Sequence, residues 1–226
     1  MPVRKVRNIG KNIVGKFPSI KNRKMVSYES LIERDVIYLL EFDPEVVTYE
    51  EQPLTIEFTD EKKVKQYTPD FQAHFRSGHC SLIECKPERF ASQEKNLIKY
   101  AAAESWCDLH NQTFVLAIDS KIRNGQALKN IQYLSQFAHH IPDIRLLTLL
   151  ANNLRTPISI HDIIYAIDAD CPSQVCPTIF HLLYYQHLFT PLLSNPISLQ
   201  SPISTQKELQ DGFQSIFPWN RISLER

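Results

Sequence analysis

Several things missing from this sequence narrow its reading before any motif is considered. No run of about 18 apolar residues occurs, so no transmembrane helix is expected. The N-terminus has no apolar secretory core, and a cytoplasmic location is the expectation that follows. Cysteine is sparse and odd in number. Cys80, Cys85, Cys107, Cys171 and Cys176 are scattered along 226 residues, which argues against a disulfide framework. Cys171 and Cys176 come nearest to a paired metal motif, but their spacing is wide for a zinc knuckle, no second pair follows, and His181 alone does not complete a site. Reduced thiols are expected. Acid is absent from the first 24 residues, which carry Arg4, Lys5, Arg7, Lys11, Lys16, Lys21, Arg23 and Lys24. The whole chain has a formal net charge of zero, so the remainder is acidic to the same extent. Basic arms of this kind contact phosphates; the competing reading is a solvated tail.

What is present suits a globular protein: 43% hydrophobic and 22% charged residues, in one large domain or two small ones. Residues 1–24 read as a basic N-terminal arm. Residues 28–41 read as a helix, with Ser27 or Tyr28 preceding it and Leu31, Ile32, Val36, Ile37, Leu39 and Leu40 at helical spacing. Phe42-Asp43-Pro44 ends it. Strand-like runs follow at 46–49, 54–58, 66–75 and 80–85, expected as an antiparallel meander. A helix at 91–110 and an apolar strand at 113–118 imply a crossover onto the same sheet, which makes the sheet mixed. Another helix is expected at 125–138.

Beyond Pro142, helices are expected at 143–153, at 160–167 capped by Ser159, and from Pro172 to about His187. Two short strands at 189–199, broken at Ser194-Asn195-Pro196, complete the ingredients of a winged helix. The expected organisation is therefore an arm at 1–24, a catalytic α/β domain at 25–141, and a small C-terminal domain with tail at 142–226. Phe213, Phe217 and Trp219 in that tail are candidates for docking.

One constellation carries chemistry. Asp70 lies on one strand, and Glu84-Cys85-Lys86 lies on the next after a turn. On a strand, residues i and i+2 share a face. Glu84 and Lys86 therefore project together, and a hairpin sets Asp70 beside them. Hard oxygen ligands can hold Mg²⁺ at a scissile phosphate, where the metal activates bound water and a lysine orients it or meets the developing charge. Asp70 and Glu84 are the expected ligands, with the Cys85 carbonyl and the helical Glu33 completing the shell; Glu29 competes with Glu33 for the helical role. The bland alternative is a solvated Glu84–Lys86 surface pair, which contributes at most about 1 kcal/mol.

With the preceding helix included, the pattern resembles the PD-(D/E)xK nuclease superfamily, and within it the TnsA-like transposon endonucleases. The matching words are Ser19-Ile20-Lys21, Tyr28-Glu29-Ser30-Leu31-Ile32-Glu33-Arg34-Asp35, Leu40-Glu41-Phe42-Asp43, Gln52-Pro53, Tyr67-Thr68-Pro69-Asp70-Phe71 and Glu84-Cys85-Lys86-Pro87, running from about residue 15 to 120. The resemblance implies a restriction-endonuclease-like mixed sheet flanked by helices, then a winged-helix-like domain. It implies catalysis by Glu33, Asp70, Glu84 and Lys86 with Mg²⁺, for which Mn²⁺ substitutes. It further implies cleavage of the 5′ strand at transposon ends in double-stranded DNA, with a TnsB-like DDE transposase cutting the 3′ ends and a TnsC-like AAA+ ATPase as further partner. In that setting the protein is expected in the bacterial cytoplasm, at the nucleoid when in complex. Two rivals remain: a free-standing restriction or repair nuclease with the same core, and a non-catalytic interaction protein of that fold.

Other residues are weaker candidates. His74 is expected in a structural hydrogen bond and Gln52 at a turn or near the site. Lys95 and Lys99 are expected on a solvated face, and Tyr184, Tyr185 and Phe189 in a core. Residues 142–226 hold five basic side chains against seven acids. That balance favours protein docking, leaving DNA attraction to Arg4, Lys5, Arg7, Lys11, Lys16 and Lys21.

Overall fold

A computed structural model describes residues 13–154, 156–167 and 172–210. These form two compact units, one reaching Ile122 and the next starting at Arg123. The second unit thus begins well ahead of the boundary expected at residue 142.

The first unit opens with an antiparallel hairpin, β1 (Gly15–Ser19) and β2 (Lys24–Tyr28). Half of the expected basic arm therefore reaches into a folded hairpin, in which Phe17 stands opposite the buried Val26. Helix α1 (Leu31–Phe42) follows. Its cap is Ser30 rather than Ser27 or Tyr28, with Ser30 Oγ accepting from the Glu33 N–H at 3.2 Å. Ile32, Val36, Ile37, Leu39 and Leu40 are buried, as their spacing requires.

The main sheet has four strands in the order β3 (Val46–Glu51), β6 (Phe71–Phe75), β7 (Cys80–Lys86), β8 (Thr113–Ile118). The first two pairings are antiparallel and β7–β8 is parallel. The sheet is mixed, as expected. Helices α2 (Glu88–Ala91) and α3 (Glu94–Leu109) form the crossover between the parallel strands. The expected meander is interrupted, however. Strands β4 (Ile56–Asp60) and β5 (Lys63–Tyr67) form a separate two-stranded ribbon. Thr68-Pro69-Asp70 breaks the single strand expected over 66–75, because Pro69 has no N–H to give a ladder.

Apolar clusters lie on both faces of the sheet. Ile56, Tyr67, Leu82, Ala103 and Cys107 form one, joining the ribbon to β7 and α3. α1 packs against β3 and β7, with Ile37, Leu40, Tyr49, Phe71 and Ile83 fully buried. The short helix α4 (Asp119–Ile122) ends the unit. A mixed sheet flanked by helices in this way fits a restriction-endonuclease-like fold.

The second unit contains α5 (Ala127–Ser135), α6 (Ile144–Asn153), α7 (Ile160–Ala166) and α8 (Pro172–Tyr184). Asp143 caps α6 and Ser159 caps α7. No hairpin forms over 189–199. Instead β9 (Ile158–Ser159) pairs with β10 (Pro202–Ile203), and Phe189 makes a single bridge to Ser204. Asn130 holds the intervening segment straight through its side chain. Its amide donates to Leu192 O and Asn195 O, both at 2.8 Å, and its Oδ1 accepts from the Ile197 N–H at 3.0 Å. Main-chain groups that a hairpin would pair are satisfied there instead. Tyr184 is buried as expected, whereas Tyr185 is 39% exposed and is held at the surface by its hydroxyl, which donates to Ala138 O. No helix among the described residues is long and apolar enough to cross a membrane.

Candidate active site

The β6–β7 register places the chemistry. Phe71 faces Ile83 and His74 faces Cys80. Continued two steps, that register would set Cys85 opposite Pro69, but β6 stops at Phe71. The Cys85 N–H therefore lacks a main-chain acceptor on this side. The Asp70 carboxylate takes that place, with Oδ2 accepting from Cys85 N at 2.7 Å. Glu84 and Lys86 share a face, as the strand period demands, and their side chains pair at 2.8 Å. Glu84 is 4% exposed, so this is no solvated surface pair. Its other oxygen accepts from the Tyr67 hydroxyl at 2.9 Å.

The electrostatics are those of crowded acids. Burial first, then the charges of Glu84 and Glu33, raise the Asp70 carboxyl well above the ordinary range. Burial also raises Glu33, with Glu29 and Glu84 adding repulsion. Burial by itself would lower the Lys86 amine, but the adjoining Glu84, aided by Asp70, carries it above its usual value. Lys86 therefore remains charged. Cys85 is buried and its thiol is pushed up by burial and by Asp70, which makes it inert.

Glu33 is placed differently from its neighbours. Its carboxylate reaches back along its own helix, accepting from the Glu29 N–H at 2.7 Å and the Ser30 hydroxyl at 2.8 Å. This is a capping arrangement, which occupies both Glu33 oxygens at its own helix end while its charge still bears on Asp70 and Glu84. Accordingly, no three His, Cys, Asp or Glu side chains among the described residues stand together as a ready metal cluster. Cys85 contributes to the site through its amide, bonded to Asp70.

Of the expected phosphate contacts, Lys16 is exposed on β1. Lys21 turns inward: its ammonium donates to Asp43 O and, at 2.6 Å, to Val46 O, so it braces the α1–β3 connection. Arg4, Lys5, Arg7 and Lys11 lie outside the described residues, as do Cys171, Phe213, Phe217 and Trp219. Lys99 sits 5.9 Å from the Tyr67 ring centre, nearer the site than expected. His74 Nδ1 meets Cys80 Sγ at 3.2 Å, a structural contact. His181 donates through Nδ1 to Phe137 O at 3.0 Å, and it belongs to no group of three His, Cys, Asp or Glu among the described residues.

Two residues beside Glu84 had no role at the level of sequence. Tyr67 orients Glu84. Tyr100, on α3, is fully buried with its hydroxyl unpartnered among the described residues. Burial, followed by the charge of Glu84, pushes that hydroxyl up to about 12. The same ring lines a cavity of about 280 Å³ with Leu97, Phe114 and Lys121. The only available signal was the rule that a buried tyrosine seeks a partner, and sequence alone does not name the partner.

Comparison with known proteins bears on this geometry. No curated protein matches the chain. Residues 43–119 match the family model of the TnsA-like endonuclease N-terminal domain. That segment contains Asp70, Glu84 and Lys86 and starts after Glu33. The match covers about a third of the 226 residues, and over that stretch the chain is similar to a TnsA-like endonuclease N-terminal domain.

Proposed function

We propose that this protein is the metal-dependent DNA endonuclease subunit of a heteromeric transposase, cutting the 5′ strand at each transposon end by phosphodiester hydrolysis. The observation that carries this reading is the β6–β7 hairpin, which sets Asp70 against the Glu84–Lys86 pair inside the matched segment. The donor set suits Mg²⁺, with Mn²⁺ as a substitute. It consists of oxygen ligands, and at two of them, Asp70 and Glu33, burial and neighbouring charge oppose ionisation in a way a cation would offset. Asp70 and Glu84, with Glu33 and the main chain of Cys85, would hold the ion. Bound there, a divalent cation polarises the scissile phosphate and eases deprotonation of water.

The chain's own groups supply the rest. The Cys85 amide fixes Asp70, and the Tyr67 hydroxyl fixes Glu84. Lys86, kept charged by Glu84, orients the attacking water and meets charge building on the phosphate. Glu33 would be available to help hold the ion once its capping bonds to the Glu29 N–H and the Ser30 hydroxyl were given up.

The partners follow from the same reading: double-stranded DNA, a TnsB-like DDE transposase for the 3′ ends, and a TnsC-like AAA+ ATPase. The second unit is the docking module, winged-helix-like in its helices and short β9–β10 ribbon. The acidic balance of residues 142–226 favours that role over duplex binding. The basic residues of 1–24 other than the inward-turned Lys21 supply nonspecific DNA attraction, so neutralising them by substitution flattens the salt dependence of binding. The working location is the bacterial cytoplasm, at the nucleoid when assembled.

The test is strand cleavage of labelled transposon-end DNA by the protein plus its partner transposase, comparing wild type with Asp70→Ala, in Mg²⁺ and in chelator. Wild type should nick 5′ ends only with Mg²⁺ and partner, and Asp70→Ala should abolish those nicks while 3′ cuts persist. Equal cutting by the mutant would overturn the assignment. Cutting by wild type alone would favour a free-standing restriction or repair nuclease.

A further inference from the structure

Gln52 stands where β3 ends and combines three unusual features. Its backbone has φ +47°, the left-handed region that glycine or asparagine occupies more readily. Its N–H donates to Asp70 O at 2.9 Å, one rung beyond the Glu51–Phe71 pair. Its side-chain amide Nε2 donates to Glu29 Oε1 at 3.2 Å, and the Glu29 N–H in turn holds Glu33. One residue thus ties the loop carrying Asp70 to the acidic end of α1.

The remaining atom has nothing to do. Gln52 Oε1 is buried with no partner among the described residues. The amide cannot be reversed to cure this, because Oε1 would then face the Glu29 carboxylate, which offers no proton when ionised. The preceding residue, Glu51, likewise buries an unpartnered oxygen, Oε2. Buried acceptors without donors are rare and call for a missing partner. What is missing here is a donor, in a part of the molecule where Glu33 and Asp70 are buried and repel each other.

We infer that Gln52 is a positioning residue of the nuclease site, with its Oε1 accepting a hydrogen bond from a water of the bound divalent cation while its Nε2 orients Glu29 at the end of α1. This rests on the nuclease reading above. The strained backbone then has a reason, since a turn alone would be served better by glycine. Groups that hold a metal's outer ligands typically change affinity by about 10- to 100-fold when removed.

The experiment is Mn²⁺ binding by calorimetry, paired with thermal unfolding in chelator, on wild type, Gln52→Gly, Gln52→Leu and Asp70→Ala. Gln52→Gly keeps the N–H to Asp70 and relieves the left-handed backbone. It should bind Mn²⁺ about 10-fold more weakly with no loss of thermal stability. Gln52→Leu should weaken binding similarly, showing that the amide matters rather than the space it fills. If Gln52→Gly melts earlier yet binds Mn²⁺ like wild type, Gln52 is only structural and the inference is overturned. Loss of binding in Asp70→Ala alone leaves the nuclease reading standing without it, whereas wild type that binds no Mn²⁺ removes both.

Discussion

Two places in the first unit bury carboxylates, and they are built on opposite terms. Around Glu41, four donors converge: the hydroxyls of Ser19 and Tyr49 and the main-chain N–H groups of Ile20 and Lys21. Around Asp70 the largest charges are other acids, Glu84 and Glu33, offset only in part by the Cys85 amide and Lys86. The first arrangement spreads one charge over fixed dipoles and pins the β1–β2 hairpin to α1. The second concentrates charge at a strand break. A carboxylate enclosed by donors is a structural fastening, whereas carboxylates facing each other are held at a cost to the fold that a cation relieves.

The contrast is most severely tested at Asp70. Asp70→Asn should lower 5′-strand cleavage by at least about a thousandfold. In chelator it should melt later than wild type, because one of the repelling charges is gone. Retained cleavage together with a lower Tm would make Asp70 a fastening like Glu41. The converse change, Glu41→Ala, should cost about 3 kcal/mol in denaturant unfolding, since several buried donors lose their acceptor. Its Mn²⁺ affinity should match wild type.

A smaller effect lies in pH. Asp70 and Glu33 are raised in the folded state, so above the ordinary carboxylate range the folded protein binds more protons than the unfolded chain. Their effect on metal-free stability is therefore most favourable at mildly acid pH and is lost as pH rises through the folded values. Melting in chelator from about pH 5 to 8 should show this decline, and Mg²⁺ should flatten it. The smallest effect belongs to Lys21, whose amine burial pushes down to about 8 from 10.5. Between those values the unfolded chain binds more protons, so wild type gains stability as pH rises. Lys21→Met should lack that gain in denaturant midpoints taken near each end of the window; parallel curves would show that Lys21 is solvated.

What was legible in the sequence follows the same division. Glu84 and Lys86 were readable as partners because a strand fixes i and i+2 on one face. Helix α1 was readable because Ile32, Val36, Ile37 and Leu40 repeat with its turn, and β8 because its apolar run is short and bounded. Lys21 was misread because lysine is normally solvated, and only the folded α1–β3 connection gives it carbonyls to reach. Tyr67 and Tyr100 had no assigned role because their relation to Glu84 spans long stretches of chain. The strand break at Pro69 carried a local signal, yet what filled the gap, the Asp70 side chain, emerges only from the β6–β7 register. The wing expected over 189–199 failed because Asn130, some 65 residues upstream, satisfies that segment.

The hairpin has one more consequence, for how this site tolerates insertions and deletions. Asp70, Glu84 and Lys86 lie on either side of a tight turn at 76–79, and their meeting depends on pairing rather than on loop length. Residues added at the turn tip leave the pairing of Phe71 with Ile83 untouched. A single residue lost from within β7 reverses the faces of everything beyond it, turning the position of Glu84 toward α1 and bringing Cys85 into its place. Length variation in this domain should therefore accumulate at the tip and be purged two or three residues away.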